Sequence, residues 1–175
     1  MTPDFRPLIL TAVFEPAFQS RLEGWRRAHY SPRYNRVPAH LSLFRQLPAS
    51  AEAELRRRLS RLAADVPPLP ARPLAFAARE GGVVLEVQCS ALLDLREDLA
   101  AALAGLIVGP DVVMPRLKVT LQNKADAAAQ RASLAALRTE ALPAEVRITR
   151  LRLWRYLDGP WDLLVDQPFR GRWRG

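Results

Sequence analysis

The chain has 175 residues, 49% of them hydrophobic and 25% charged, which is the balance of an ordinary globular domain with a core of its own. Its one cysteine, Cys89, excludes an intrachain disulfide and fits a reducing cytoplasm, and its apolar runs are too short to cross a membrane. The net charge of +8 favours a polyanionic partner such as a nucleic acid.

A strand and a helix are predicted at the start of the chain. Residues 8–15 have the length and the β-branched side chains of a strand, and Pro16 ends it while suiting the first turn of a helix. The apolar stripe of that helix consists of Phe18, Leu22 and Trp25. The helix fades near His29, which we interpret as a cation at the helix C-terminus, with a ligand or catalytic role as the alternative.

The next segment, residues 31–37, is a loop that carries Arg33 and Arg36 with Tyr34 between them. Arginine and an aromatic ring together can hold a nucleotide by charge and stacking, although a solvated loop fits the same composition. Because all but two of the 26 basic residues in the chain are arginines, basic character alone does not decide between these interpretations.

The strand after that loop offers two polar side chains on one face. Residues two apart in a strand share a face, so His40 and Ser42 point one way while Leu41 and Leu43 point to a core. Imidazole is the side chain best suited to transfer a proton near neutral pH. The pattern predicts a candidate acid–base site, although a single His-x-Ser also fits a solvated face.

The middle of the chain contains a connector and a hairpin. A helix with an apolar stripe precedes the prolines of residues 67–73, which we interpret as a rigid connector between two halves. Residues 74–79 and 83–89 are predicted to form a hairpin, and a further helix follows. We expect a single domain over residues 1–175, with its two halves joined near 67–73.

The second half repeats the pattern of the first polar strand. Lys118, Val119, Thr120 and Leu121 again give a polar residue, an apolar one, a hydroxyl and a leucine, after a proline and before a predicted helix. This degenerate repeat indicates an internal duplication of a strand–helix unit, with one polar pair in each copy.

A last hairpin, of residues 145–156 and 161–166, is predicted after an alanine-rich helix. One face of its first strand carries Arg150, Arg152, Trp154 and Tyr156. Such a row can form a groove for a base and a phosphate, or an exposed face with snorkelling arginines. The succession of strands and helices predicts an α+β fold with two small, mostly antiparallel sheets and helices outside.

His40-Leu41-Ser42 in the first half and Lys118-Val119-Thr120 in the second carry a resemblance to a family whose signature is His-x-(Thr/Ser)-x in each half. The chain resembles the two-histidine (2H) phosphoesterase superfamily, which includes bacterial 2'-5' RNA ligases and cyclic phosphodiesterases. The resemblance extends over residues 33–44, 119–124 and 153–161. It departs at Lys118, which stands where the family has its second histidine.

The resemblance implies two pseudo-symmetric lobes around a central cleft. His40 and Ser42 would lie on one wall and Lys118 and Thr120 on the other. In the family, two histidines act as general acid and general base on a phosphodiester or 2',3'-cyclic phosphate, and the paired hydroxyls hold the phosphoryl oxygens. These four side chains are therefore the predicted catalytic residues.

The resemblance also places the strand with Arg152, Trp154 and Tyr156 beside the cleft, which makes these three the predicted substrate-binding residues. No metal or other cofactor is expected, because two histidines and one cysteine offer no recognisable ligand spacing.

Three functions stay open at this point. The first is an enzyme that hydrolyses 2',3'-cyclic phosphodiesters or ligates RNA ends through 2'-5' bonds, with His40 as the acid–base group and Lys118 as a charged partner. The second is a catalytically inactive protein that binds an RNA end or a nucleotide in the same cleft. The third is a fold used only for protein–protein contact. For the first two we expect a cytoplasmic monomer whose partner carries a phosphate or cyclic phosphate.

Overall fold

The computed structural model describes residues 5–173, and this part of the chain forms seven strands and four α-helices. The strands are β1 (Leu8–Phe14), β2 (Leu41–Leu47), β3 (Leu69–Arg79), β4 (Gly82–Gln88), β5 (Lys118–Gln122), β6 (Val146–Tyr156) and β7 (Trp161–Pro168). The helices are α1 (Pro16–His29), α2 (Glu52–Asp65), α3 (Ser90–Ala102) and α4 (Ala127–Leu137). The expected α+β class is confirmed.

Every strand pairing in the described part of the chain is antiparallel, and the strand order is β2-β1-β6-β3-β4-β5, with β7 also paired to β6. We expected two separate small sheets, and the structure joins them into one. The junction is β3, which pairs with β6 through Leu69–Ala71 and with β4 through its remaining length. The strands that carry the two repeated motifs, β2 and β5, stand at the two ends of this order.

The proline-rich connector is shorter than the sequence predicts, because β3 already begins at Leu69. Pro70 lies between two residues that pair with β6, and only alternate residues of an antiparallel strand donate to a given neighbour. A proline in the intervening position therefore removes no bond from the ladder. This is why a segment that looks like a linker in the sequence can be part of the sheet.

The helix stripes that the sequence predicts are buried in one core. Phe18, Leu22 and Trp25 of α1 are at most 7% exposed, and Phe14, Phe18, Trp25 and Phe76 contact one another edge to face in that order along the chain. Ring centroids in this series are 5.1 to 6.3 Å apart, the spacing of favourable edge-to-face pairs. The series links β1, α1 and β3.

A bulge in β2 shapes the first motif. Thr11 pairs with Ser42 and Leu10 pairs with Phe44, so Leu43 is an extra residue on β2. Because the bulge shifts the alternation by one residue, Leu43 and Phe44 are both buried although they are adjacent. Ser42, just before the bulge, keeps the side opposite the core.

Two buried arginines connect the ends of the sheet. Arg26 of α1 donates to the carbonyl of Thr120 in β5 over 2.9 Å, and Arg96 of α3 donates to the carbonyl of Leu43 in β2 over 3.4 Å. Both side chains are 3% exposed. The helix that follows β1 thus bonds to β5, and the helix that follows β4 bonds to β2. We call Arg26 and Arg96 the reciprocal arginines.

Asp111 completes the second of these connections. It lies in a short 3-10 helix, Gly109–Val112, and its carboxylate accepts the backbone N–H groups of Arg45 and Gln46 in β2 over 2.7 to 2.9 Å. Its own carbonyl accepts from the Arg96 guanidinium. The loop before β5 is therefore attached to the outer edge of β2 by ionic and neutral hydrogen bonds.

None of the helices in residues 5–173 has the length and apolarity that crossing a bilayer requires.

Replacing Asp111 tests this attachment. Asp111→Ala leaves N–H donors of the β2 edge without an acceptor, and we expect the free energy of unfolding to fall by about 3 kcal/mol in urea titrations at pH 7. Asp111→Asn retains one oxygen and should lose about half as much. Asp98→Ala, an exposed aspartate of α3, serves as the control and should change stability by less than about 0.5 kcal/mol. Equal effects of Asp111→Ala and Asp98→Ala would contradict the assignment.

Candidate functional site

A cleft opens where β2 and β5 face each other. It consists of two adjoining cavities, of about 330 and 930 Å³, which share His40, Ser42, Arg45 and Thr120 in their linings. Lys118 lines the smaller cavity. The structure thus brings together, around one space, the four side chains predicted from the two halves of the sequence.

His40 is held in one tautomer. Its Nδ1 lies 2.7 Å from the carbonyl oxygen of Pro38, which can only accept a hydrogen bond. Nδ1 therefore carries the proton in the neutral ring, and Nε2 is left with its lone pair. A histidine in this state can accept a proton through Nε2.

The charge state of His40 supports the same role. Burial of the ring lowers the pKa of His40 from 6.5 to about 4; the bond to Pro38 opposes this shift, and the positive charge of Arg26 adds to it. The side chain is still partly exposed to the cleft. At neutral pH His40 is therefore an uncharged base rather than a cationic acid.

An aromatic pair supports the ring of His40 from β6 and β7. The Trp161 ring lies 5.1 Å from the His40 ring, and the Trp154 ring lies 6.0 Å from that of Trp161, measured between centroids. Trp154 is 7% exposed and its Nε1 donates to Thr11 Oγ1 over 2.9 Å. The pair gives His40 an apolar wall.

The backbone before His40 is held by one face of α1. Glu23 Oε1 accepts the N–H of Ala39 over 2.6 Å, and Gln19 Nε2 donates to the Ala39 carbonyl over 2.7 Å. Arg26 donates to the Val37 carbonyl over 3.0 Å and also bonds to Asn35 Oδ1. Gln19, Glu23 and Arg26 follow the helical spacing of four and three residues, so they share one face. The peptide that supplies the acceptor for His40 Nδ1 is fixed on both sides.

Three cations around the smaller cavity have no protein partner. Within residues 5–173, the side chains of Arg45, Arg116 and Lys118 make no hydrogen bond or ion pair, and all three are exposed. Some arginines elsewhere on the surface are paired with carboxylates, for example Arg56 with Glu52 and Arg79 with Glu86, whereas others such as Arg61 and Arg72 have no ion pair within the described residues. Asp111 also lines the cavity, but its carboxylate is occupied by backbone N–H groups. With three cations and one carboxylate, the described lining carries a net positive charge, which suits an anion.

The larger cavity is lined by aromatic rings and further cations. Tyr34, which is 38% exposed, has Lys124 Nζ 4.0 Å from its ring centroid and the guanidinium of Arg33 at 5.6 Å. Tyr156 and Trp161 lie on the same cavity. The loop of residues 31–37 therefore lines the cleft. This is the position expected if the loop holds a nucleotide.

The three predicted substrate-binding residues differ in position. Tyr156 lines the larger cavity, while Trp154 lies behind Trp161. Arg152 is not among the described residues that line the cleft, and its Nε lies 3.6 Å from Asp166 Oδ1. Trp154 is therefore placed to support a cleft residue, and a direct contact of Arg152 with substrate stays a prediction.

Sequence reasoning missed Trp161, Arg45 and Arg116. The pairing of Tyr156 with Trp161 brings the tryptophan to the cleft. The register of the last hairpin was therefore the one feature of the sequence that could have predicted the position of Trp161. The arginines gave no signal, because their role depends on the lack of nearby carboxylates in space. His29, the other candidate histidine, lies with its Nδ1 3.0 Å from Ser133 Oγ and does not line the described cavities.

Comparison with known proteins places this geometry in a family. Residues 14–160 match the model of the 2'-5' RNA ligase superfamily. The chain belongs to the 2'-5' RNA ligase superfamily. The expected relation to two-histidine phosphoesterases is therefore confirmed. No curated protein sequence matches the chain.

Several solved structures have the same fold as this chain. TT0787 of Thermus thermophilus is 20% identical with a TM-score of 0.61, and the alignment covers 94% of this chain and 98% of that one. LigT of E. coli solved with 3'-AMP is 20% identical with a TM-score of 0.59, over 95% and 99% of the two chains. LigT has also been solved with NADP+, at 18% identity, a TM-score of 0.57 and the same coverage.

The lowered pKa of His40 predicts a pH dependence of stability. Between pH 6.5 and 4 the unfolded chain binds a proton at this histidine and the folded chain does not, so acid favours unfolding in that window. Relative to His40→Gln, the wild type should lose up to about 3 kcal/mol of unfolding free energy as pH falls from 7 to 4. Below pH 4 the difference should level off. A constant difference across this range, measured by urea unfolding, would contradict the buried neutral ring.

The contacts of α1 predict that Glu23 acts as a positioning residue for the His40 tautomer. In Glu23→Ala the Ala39 N–H loses its acceptor, and we expect nitrogen-15 spectra of the ring to shift from one tautomer toward a mixture. Glu23→Gln keeps an oxygen acceptor and should retain the wild-type spectrum. His29→Gln assigns the signals, since the chain has two histidines. An unchanged spectrum in Glu23→Ala would show that Pro38 alone is sufficient.

Proposed function

We propose that this cleft binds the phosphate of an RNA end or a nucleotide and cleaves a phosphodiester or 2',3'-cyclic phosphate there. One observation carries the proposal: unpaired Arg45, Arg116 and Lys118 surround a cavity that also holds a neutral His40. E. coli LigT, which has the same fold, has been solved with 3'-AMP, NADP+, ATP and phosphate. Anionic nucleotides are therefore a reasonable ligand class for this chain.

The reaction divides among few groups. His40 Nε2 accepts a proton from the attacking water as its oxygen bonds to phosphorus. Ser42 and Thr120 hydroxyls donate to the non-bridging oxygens, whose charge Arg45 and Arg116 also offset. We infer that Lys118 takes the place of the family's second histidine, where its ammonium neutralises and protonates the departing ester oxygen. Ligation through a 2'-5' bond would use the same groups with a 5'-hydroxyl in place of water: its oxygen bonds to the phosphorus of a 2',3'-cyclic phosphate, His40 takes its proton, and the 3'-oxygen leaves and is protonated.

A second candidate is a binding protein with the same ligands and no turnover. Lys118 favours it, because an exposed ammonium at this place leaves His40 as the one group in the cleft described here that is suited to take up a proton at neutral pH. In either case we propose a cytoplasmic monomer that works without a metal. Within residues 5–173 no group of three or more histidine, cysteine or carboxylate side chains is arranged to hold a metal ion.

Hydrolysis of 2',3'-cyclic AMP and of a 2'-5'-linked dinucleotide tests the proposal. His40→Ala should lower kcat by about 10²–10⁴-fold, the usual contribution of one acid–base group, and Lys118→Ala should lower it by at least tenfold. His29→Ala is the matched control, because that ring bonds to Ser133 and should leave turnover unchanged.

The substitution Lys118→His shows whether an active protein is a weakened enzyme or one that uses Lys118. A large rise in kcat would identify a weakened enzyme, and a fall would identify Lys118 as a working part of the site. No turnover by wild type together with micromolar binding lost in Lys118→Ala would favour the binding protein. If the wild type shows no turnover and no salt-sensitive binding of RNA, both candidates are overturned and protein–protein contact is the function that remains.

A further inference from the structure

The two ends of the cleft differ in chemistry. We call the larger cavity the aromatic arm, since Tyr34, Tyr156 and Trp161 line it. We call the smaller one the aliphatic arm, since Pro110, Val113, Met114 and Pro115 line it. His40, Ser42, Arg45 and Thr120 belong to both and lie at the junction. A phosphate at the junction would have one ester group directed into each arm.

The aliphatic arm is unsuited to a base. Among the described residues that line it there is no phenylalanine, tyrosine or tryptophan, so the only aromatic ring beside it is that of His40 at the junction. Its lining combines the apolar residues named above with the cations Arg116 and Lys118. An apolar group attached to an anion matches both features.

The rim of this arm exposes apolar side chains to an unusual degree. Five of the ten exposed large hydrophobic side chains in residues 5–173 fall within one stretch between α3 and β5: Leu106, Val108, Val112, Val113 and Met114. Val113 is 70% exposed and Met114 is 37% exposed. An apolar patch that adjoins a charged cleft marks a binding surface more often than scattered exposed residues do.

The rim is also held in place before any ligand arrives. Asp111, two residues before Val113, bonds to the backbone of β2, and Arg96 bonds to the Asp111 carbonyl. Pro110 and Pro115 restrict the backbone on either side. Ordering such a wall on binding costs little, so its apolar contacts count almost fully toward affinity.

We propose that the cleft accepts an asymmetric phosphodiester, with a nucleoside in the aromatic arm and an aliphatic ester group in the aliphatic arm. This rests on the proposed binding of phosphate at the junction, and it adds the class of the second ester group. The nucleoside is recognised by stacking on Tyr34 and Trp161, and the aliphatic group by contacts with Val113 and Met114.

Binding of two matched esters tests the inference. The probes are the methyl and hexyl esters of 3'-deoxyadenosine 2'-phosphate, whose missing 3'-hydroxyl prevents cyclisation. We expect the wild type to bind the hexyl ester at least tenfold more tightly by calorimetry, the gain that about two fully buried methylene groups provide. Val113→Ser should reduce this ratio toward one. Leu74→Ser is the control, because Leu74 is an exposed apolar residue of β3 that lies outside the rim and does not line the cavity, and it should keep the ratio.

The outcomes separate this inference from the function on which it depends. If neither ester nor 2',3'-cyclic AMP binds, the proposed function fails. If the methyl ester binds and the hexyl ester binds no better, only the aliphatic arm is overturned. It is also overturned if the 2'-5' dinucleotide of 3'-deoxyadenosine and adenosine binds more tightly than the hexyl ester, since the arm would then take a nucleoside.

Discussion

The reciprocal arginines fix the distance between the two edges of the sheet, and the cleft exists because of that distance. A guanidinium that is 3% exposed is stable only where its N–H groups find acceptors, and Arg26 and Arg96 find them on carbonyls of β5 and β2. Edge strands normally present such carbonyls to solvent or to another chain. Here each edge is satisfied from the opposite side of the molecule, so the two motif strands face each other without pairing.

The same arrangement determines the chemistry of the cleft. Arg26 lies near enough to His40 to help keep the ring neutral, and it bonds to the loop whose Pro38 carbonyl sets the tautomer. Positive charge that could bind an anion is supplied separately, by exposed side chains without carboxylate partners in the described part of the chain. Structural cations are buried and bonded, whereas binding cations are exposed and unpaired. This division lets one site hold both a base and a strongly positive potential.

Local patterns in the sequence predicted much of this structure. The alternation around His40 and Ser42 and the stripe of Phe18, Leu22 and Trp25 depend on neighbours within one element, so periodicity was enough. The single sheet was not predicted, because prolines within β3 imitate a linker when its pairing with β6 is unknown.

The residues that build the cleft around the motif were also not predictable. Arg26 and Arg96 look like surface residues of amphipathic helices, and only tertiary packing buries them. Asp111 appears as a loop residue although it caps the edge of β2. Arg45, Arg116 and Trp161 depend on which groups meet in space. Resemblance to a family supplied the pairing of the two motifs, which no local pattern could have given.

The anchored loop before β5 has a consequence for how ligands enter. Because Asp111 and Arg96 bond this loop to β2, the two walls cannot swing apart as a hinge without breaking several buried or partly buried hydrogen bonds at once. Entry must then occur through the open mouth, and discrimination among ligands must come from the fixed contour of the walls rather than from closure around the bound molecule. Such a protein discriminates among ligands by how well each one fits a cleft that is already formed before binding.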